Sequence, residues 1–212
     1  MSGVQTYLRA QIAKGNLRSD KAQMHAAQAL DDLSARLSDY SPKRSLFGKS
    51  KPAPKGLYIW GGVGRGKSML MDEFFEQLPS AKKSRVHFHA FMQDVHAKVF
   101  AWRKMDDKAR RASPAYVRGA GDDPIAPAAK AIALQADILC FDEFHVTDIT
   151  DAMILSRLFT ALFARGVIVV ATSNRAPDEL YKDGLNRDLF LPFIDLMKQK
   201  LDIFGFDGDE DH

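Results

Sequence analysis

The sequence predicts an α/β protein in which a buried sheet, flanked by helices, is organised around a phosphate-binding loop. Three stretches carry that expectation. Gly61-Gly62-Val63-Gly64-Arg65-Gly66-Lys67-Ser68 matches the pattern G-x-x-x-x-G-K-[ST]. A short apolar run, Gly56-Leu57-Tyr58-Ile59-Trp60, precedes it, and Met69, Leu70, Phe74 and Leu78 follow at helical spacing. Ile138-Leu139-Cys140-Phe141 is apolar enough for a strand buried on both faces, and it ends in two carboxylates, Asp142 and Glu143. Val167-Ile168-Val169-Val170-Ala171-Thr172 is another such run, closing on Ser173-Asn174-Arg175.

The bulk properties agree. A chain of 212 residues with 46% hydrophobic and 27% charged residues has enough apolar material for one large core. The formal net charge of +3 is too small to argue for nucleic acid, so basic clusters must be judged locally. The single cysteine, Cys140, lies in an apolar run and reads as a buried thiol in a reducing compartment. No run approaches the roughly 18 apolar residues of a membrane span, and residues 1–14 lack the order of a secretory signal. The expectation is a soluble protein, with peripheral membrane contact left open.

In chain order, residues 4–12 suggest a short helix and residues 19–39 a longer one, with Leu30, Leu33, Leu37 and Tyr40 on one face. Asp20 and Gln23 have capping-box spacing at its start. Residues 41–55 hold three prolines and five Lys or Arg, and read as a linker: a solvated lead-in, or a basic contact to phosphates or anionic lipid. The helix after the phosphate-binding loop should stop at Pro79. Residues 85–91 alternate as a strand that would put His87 and His89 on one face, and residues 92–102 read as a helix. A zinc role for that pair lacks a third ligand nearby, so a place beside the nucleotide is the better reading. Residues 104–123 read as a polar, irregular surface insertion whose Arg110, Arg111 and Arg118 are either solvated or in contact with an acidic partner or nucleic acid. Helices are expected over 127–134, 148–164 and 188–200, the last with Pro192 in its first turn, and a final strand over 201–204.

The chemistry follows from residue types. Glycines let the loop backbone bring its N–H groups close to a polyphosphate at the positive end of a helix. Lys67 would reach the β- and γ-phosphates, and Ser68 with Asp142 would hold Mg²⁺. Glu143 would orient and polarise the water that attacks the γ-phosphate, which points to hydrolysis of the bound triphosphate. Asn174 is either an ordinary turn residue or a group that bonds the water or the γ-phosphate. The nucleotide-binding residues are thus Gly61, Gly62, Val63, Gly64, Arg65, Gly66, Lys67, Ser68 and Met69.

On these stretches the chain resembles the AAA+ ATPases: residues 61–68 resemble Walker A, 138–143 Walker B, and 172–174 sensor 1. More narrowly, Val86-His87-Phe88-His89-Ala90-Phe91-Met92, Cys140-Phe141-Asp142-Glu143-Phe144, residues 146–153, and residues 171–174 through 180–187 resemble the ZapE cell-division ATPases and their mitochondrial AFG-like relatives. The resemblance implies a five-stranded parallel sheet of order 5-1-4-3-2, with Asn174 between Lys67 and Glu143. It implies an N-terminal helical extension with linker over 1–55, an AAA+ core over 56–206 and an acidic tail over 207–212. It also implies self-association, with Arg187 as an arginine finger for a neighbour or, more plainly, a surface residue capping a helix. His89 becomes a candidate for holding Glu143 off the water, and Asp20 and Gln23 for lying near adenine. The chain is expected to lack the C-terminal helical lid of such proteins, and so to turn over weakly. FtsZ is the implied partner of the bacterial relatives and nucleic acid a disfavoured one. The expected location is the bacterial cytoplasm, including the periphery of the inner membrane, with the mitochondrial matrix as the alternative. A helicase-loader-like protein and a nucleotide-gated adaptor are the competing functions.

Overall fold

The computed structural model describes residues 3–38, 40, 42, 52–78, 80 and 82–206. Five parallel strands, β1 (Gly56–Trp60), β2 (Lys83–His87), β3 (Ile138–Asp142), β4 (Ile168–Ser173) and β5 (Leu201–Gly205), form one sheet in the order β2-β3-β4-β1-β5. This is the expected order. It puts the tip of β4 between the ends of β1 and β3, where a parallel sheet gathers its ligand-binding loops.

Period-two alternation divides the central strands between two apolar layers. Leu57, Ile59, Ile138, Cys140, Ile168 and Val170 face α1 (Val4–Ala13), α2 (Lys21–Ser38) and α3 (Lys67–Gln77). Tyr58, Leu139, Phe141, Val169 and Ala171 face α4 (Phe88–Lys104), α6 (Ile125–Gln135), α7 (Ile149–Phe163) and α8 (Leu191–Lys200). The second layer is rich in aromatic rings, with Phe144 buried among Phe88, Phe141, Phe159 and Phe193. A short helix, α5 (Asp107–Ala112), lies outside both layers.

The two N-terminal helices form part of the first layer. The Asp31 carboxylate, on α2, accepts hydrogen bonds from the backbone N–H groups of Val4 (2.6 Å) and Gln5 (3.1 Å), satisfying the otherwise open start of α1. Asp20 caps α2 as expected, accepting from the N–H groups of Ala22 and Gln23. The Gln23 side chain does not close the capping box. It donates instead to the Arg65 carbonyl at 2.7 Å, so half of the expected box is a tertiary contact.

Two stretches differ from expectation. The strand predicted over 85–91 ends at His87, and α4 begins at Phe88. Phe88, Phe91, Met92, Val95, Val99 and Trp102 are buried at three- and four-residue steps, so the helical period outweighs the short alternation that precedes it. The predicted irregular insertion over 104–123 contains α5 and is tied down by Arg110, which binds Asp122 at 2.6 Å and the Trp102 carbonyl at 3.3 Å. Ser41 and residues 43–51 of the linker, Pro79 and the acidic tail 207–212 lie outside the described residues. Among the described residues, no helix is long and apolar enough to cross a membrane.

Candidate active site

The loop between β1 and α3 places Gly64 and Gly66 in left-handed conformations, φ 77° and 82°, which favour glycine. At Gly66 the space is also closed, since an added Cβ would sit 3.1 Å from Gln23 Nε2. Gly66 is the N-cap of α3 and makes no side-chain cap, so the first-turn N–H groups of that helix are left to meet an anion. Lys67 is buried and donates to the carbonyls of Gly61 (2.6 Å) and Gly62 (2.7 Å), within the loop that an incoming phosphate would enter. Val63, at the crest, is 86% exposed. Arg65 donates to the Phe206 carbonyl at 2.5 Å and lies 3.8 Å from Asp20, so the loop is braced by α2 on one side and by the end of β5 on the other.

The three strand tips are stitched together. Gly61 N–H donates to the Ser173 carbonyl (3.2 Å), Phe144 N–H to the Thr172 carbonyl (2.7 Å), and the Ser173 hydroxyl to the Phe144 carbonyl (2.7 Å). Tyr58 adds its phenol, which donates to the Arg175 carbonyl at 2.9 Å; burial pushes this phenol well above its ordinary pKa. Thr172 and Ser173 are buried as well, and each hydroxyl has a backbone partner.

Glu143 follows β3 in a left-handed conformation, φ 53°, which is uncommon for a residue with a Cβ and characteristic of functional turns. Its side chain is 78% exposed and lies 3.9 Å from His87 Nδ1. Glu143, Asn174 and His89 line one cavity of about 590 Å³, together with His145 and Thr147. His89, the expected restraint on Glu143, thus shares its cavity. His87, at the strand end, also approaches the carboxylate, and His89, in the first turn of α4, has its ring bonded to Gln93 at 3.1 Å.

Asp142 has its partner already. Arg85 on β2 donates through Nε to Asp142 Oδ2 (2.7 Å) and through Nη2 to Oδ1 (3.2 Å), while its Nη1 meets Asp72 on α3. Burial alone would lower the Arg85 pKa, but the bonds from the two carboxylates outweigh it and hold the guanidinium above its ordinary value. Sequence reasoning missed Arg85. The available signal was an arginine inside a strand of a sheet covered on both faces, which must find a counter-charge. The chemistry of the remaining donors fits a hard cation, because Ser68, in the first turn of α3, and Asp142, at the tip of β3, both offer oxygen.

Arg187 is not among the residues that line the Glu143 cavity. It opens a short 3-10 turn, Arg187–Leu189, where Nη2 donates to the Asp178 carbonyl at 2.6 Å and Nε is buried without a partner among the described residues. Leu185 and Leu189, on either side of it, are 70% and 63% exposed.

The family model of the AFG1-like ATPases matches residues 1–212. The cell division protein ZapE of Escherichia coli (strain K12) is 41% identical over 221 aligned residues, covering 97% of this chain and 54% of that protein. The chain thus spans about half the length of this curated relative. Among solved structures, DnaI superposes with a TM-score of 0.58 at 11% identity, covering 90% of this chain and 88% of that one. The replication initiator DnaA bound to AMPPCP and single-stranded DNA superposes with a TM-score of 0.57 at 13% identity, covering 92% and 49%. At such identities the two structures bear on the fold alone, and that fold is the P-loop nucleotide-binding sheet.

Proposed function

The chain belongs to the AFG1-like ATPase family, and on that premise we propose that it binds ATP and hydrolyses it to ADP and phosphate at the C-terminal edge of its sheet. The observation that carries the reading is the cavity shared by Glu143 and Asn174, joined to the phosphate-binding loop through Gly61 and Ser173. In this reading the loop N–H groups and the first turn of α3 hold the phosphates, and the Lys67 ammonium moves from the Gly61 and Gly62 carbonyls onto them. Glu143 accepts a hydrogen bond from the attacking water, and Asn174 fixes that water against the γ-phosphate. Magnesium, held by Ser68 and Asp142, supplies the positive charge that balances the triphosphate. Val63, Arg65 and Met69 flank the phosphates, and Asp20 with Gln23, already bonded to the Arg65 carbonyl, lies on the adenine side.

We assign the nucleotide-binding core to residues 56–206, with 1–55 as its N-terminal extension and linker and 207–212 as an acidic tail. Arg187 lies outside the Glu143 cavity and would serve the nucleotide of a second copy, a contribution of roughly 10³ to 10⁵ in rate for hydrolases that receive an arginine in trans. Nucleotide state would then drive contacts with protein partners. The name of the Escherichia coli relative favours cell division, with FtsZ as the first partner to test; membrane-protein quality control is the other client class. The corresponding locations are the bacterial cytoplasm, including the periphery of the inner membrane, or the mitochondrial matrix. A nucleic-acid role is weaker, because Arg110 is held by Asp122 and the Trp102 carbonyl, leaving only Arg111 and Arg118 of that cluster without a carboxylate partner among the described residues.

Phosphate release and nucleotide titration test the proposal together. Lys67→Ala should lose nucleotide binding, and Glu143→Gln should keep binding while losing phosphate release. Release that survives either change undiminished rules out this site. A rate per chain that rises with protein concentration, and not in Arg187→Ala, would support the shared site.

A further inference from the structure

Arg85 stands between two carboxylates of unequal exposure. Asp142, at the strand tip, is 13% exposed and has both oxygens engaged; Asp72, one helical turn beyond Ser68 on α3, is 62% exposed. The planar guanidinium grips Asp142 side-on with two donors and reaches Asp72 with a third. A divalent cation drawn to an Asp142 oxygen meets a guanidinium already donating to that oxygen, and the repulsion between two positive charges at such short range sets them in competition for it. We propose that Arg85 is a gate on the metal carboxylate: it sets how much Mg²⁺ is needed before Asp142 can join a metal held with Ser68, and it yields towards Asp72 when the metal arrives. The inference rests on the reading of residues 61–68 and Asp142 as a magnesium–nucleotide site, and it adds a positioning residue that the motifs do not contain.

The geometry gives each partner a distinct effect. Removing the guanidinium leaves Asp142 with an unbalanced charge and strengthens its hold on a cation. Removing the Asp72 charge takes away the harbour to which Arg85 withdraws and tightens the grip on Asp142. An arginine that merely oriented Asp142 for the metal would act in the opposite sense, since its loss would weaken the metal.

The test uses the 212-residue chain and a fluorescent ADP analogue, titrated first in EDTA and then across a range of free Mg²⁺. The readout is the Mg²⁺ concentration at which nucleotide affinity rises half-way, read separately from affinity in EDTA and with no turnover involved. Arg85→Gln should lower that midpoint by about tenfold, the equivalent of about 1.4 kcal/mol. Asp72→Asn should raise it by roughly twofold to fivefold, the range of an exposed ion pair. Arg85→Lys, a point charge that cannot hold both oxygens, should fall between wild type and Arg85→Gln. A midpoint that stays or rises in Arg85→Gln with a native melting curve overturns the gate. If that variant does not fold, an unchanged or lowered midpoint in Asp72→Asn does so. Wild-type chain that binds no nucleotide at any Mg²⁺ concentration removes the site itself. Binding whose Mg²⁺ midpoint ignores both substitutions removes only the gate.

Discussion

Replacing Phe144 by Ala should cost about 3–5 kcal/mol of folding stability, the usual range for a fully buried Phe. Phe144 is completely buried, its ring centre 4.0 Å from that of Phe88, 6.2 Å from Phe193 in a stacked arrangement, and edge-on to Tyr58, Phe141 and Phe159. A ring of this kind removes roughly 200 Å² from water, and at about 25 cal/mol per Å² that is about 5 kcal/mol before subtracting what Ala retains. A protein of this size loses roughly 2–4 °C of melting temperature per kcal/mol, so Tm should fall by about 6–20 °C. Phe144→Leu keeps most of the volume and loses only the aromatic edges, which should cost about 1–2 kcal/mol. Urea unfolding followed through Trp60 and the buried Trp102 measures both. The consequence also reaches the site, because Phe144 follows the strained Glu143 directly and its N–H and carbonyl bond Thr172 and Ser173. A loss below about 1.5 kcal/mol for Ala, or equal losses for Ala and Leu, would refute the view that this ring anchors the strand tips.

Three further outcomes are expected. Gln23→Ala removes the 2.7 Å bond to the Arg65 carbonyl and should weaken nucleotide binding roughly twofold to tenfold with little change in Tm; calorimetric titration that finds the same Kd contradicts the bracing role of α2. Cys140 is fully buried and its thiol is pushed up to about 12 by that burial, so thiol reagents should leave the folded protein unmodified at pH 8 and react fully in urea. Asp148 caps α7, and the Thr150 N–H holds its carboxyl below the ordinary 3.8. A depressed folded-state value means stability that is present above pH 3.8 and lost as pH falls through the lower folded value. Asp148→Ala should therefore lower Tm at neutral pH, by a margin that shrinks in acid; a margin independent of pH would count against the cap.

Much of the fold was legible because its signals are local. The apolar runs at 57–60, 138–141 and 168–172 are strands buried on both faces, and the helices between them showed their period. The loop at 61–68 and the carboxylates at 142–143 were legible for the same reason, since each is a contiguous string with one chemical purpose. The error at residues 85–91 came from reading the alternation of those seven residues without weighing the six buried positions at helical spacing that begin at Phe88. Helix α1 was faint because what closes its first turn, Asp31, lies on another helix.

What the sequence by itself determined is therefore the inventory: a phosphate-binding loop, two carboxylates at a strand tip, an asparagine at another, and five strands to carry them. Only the tertiary structure decided who faces whom. It put His87 3.9 Å from Glu143, turned Gln23 from a cap into a brace for the loop, and set Arg85 across both oxygens of Asp142. The physical reason is that these pairings join residues 42 to 57 positions apart. Sheet register brings the two β2–β3 pairs together, through His87 opposite Asp142 and Arg85 opposite Cys140, helix packing brings Gln23 to the loop, and no local pattern encodes either.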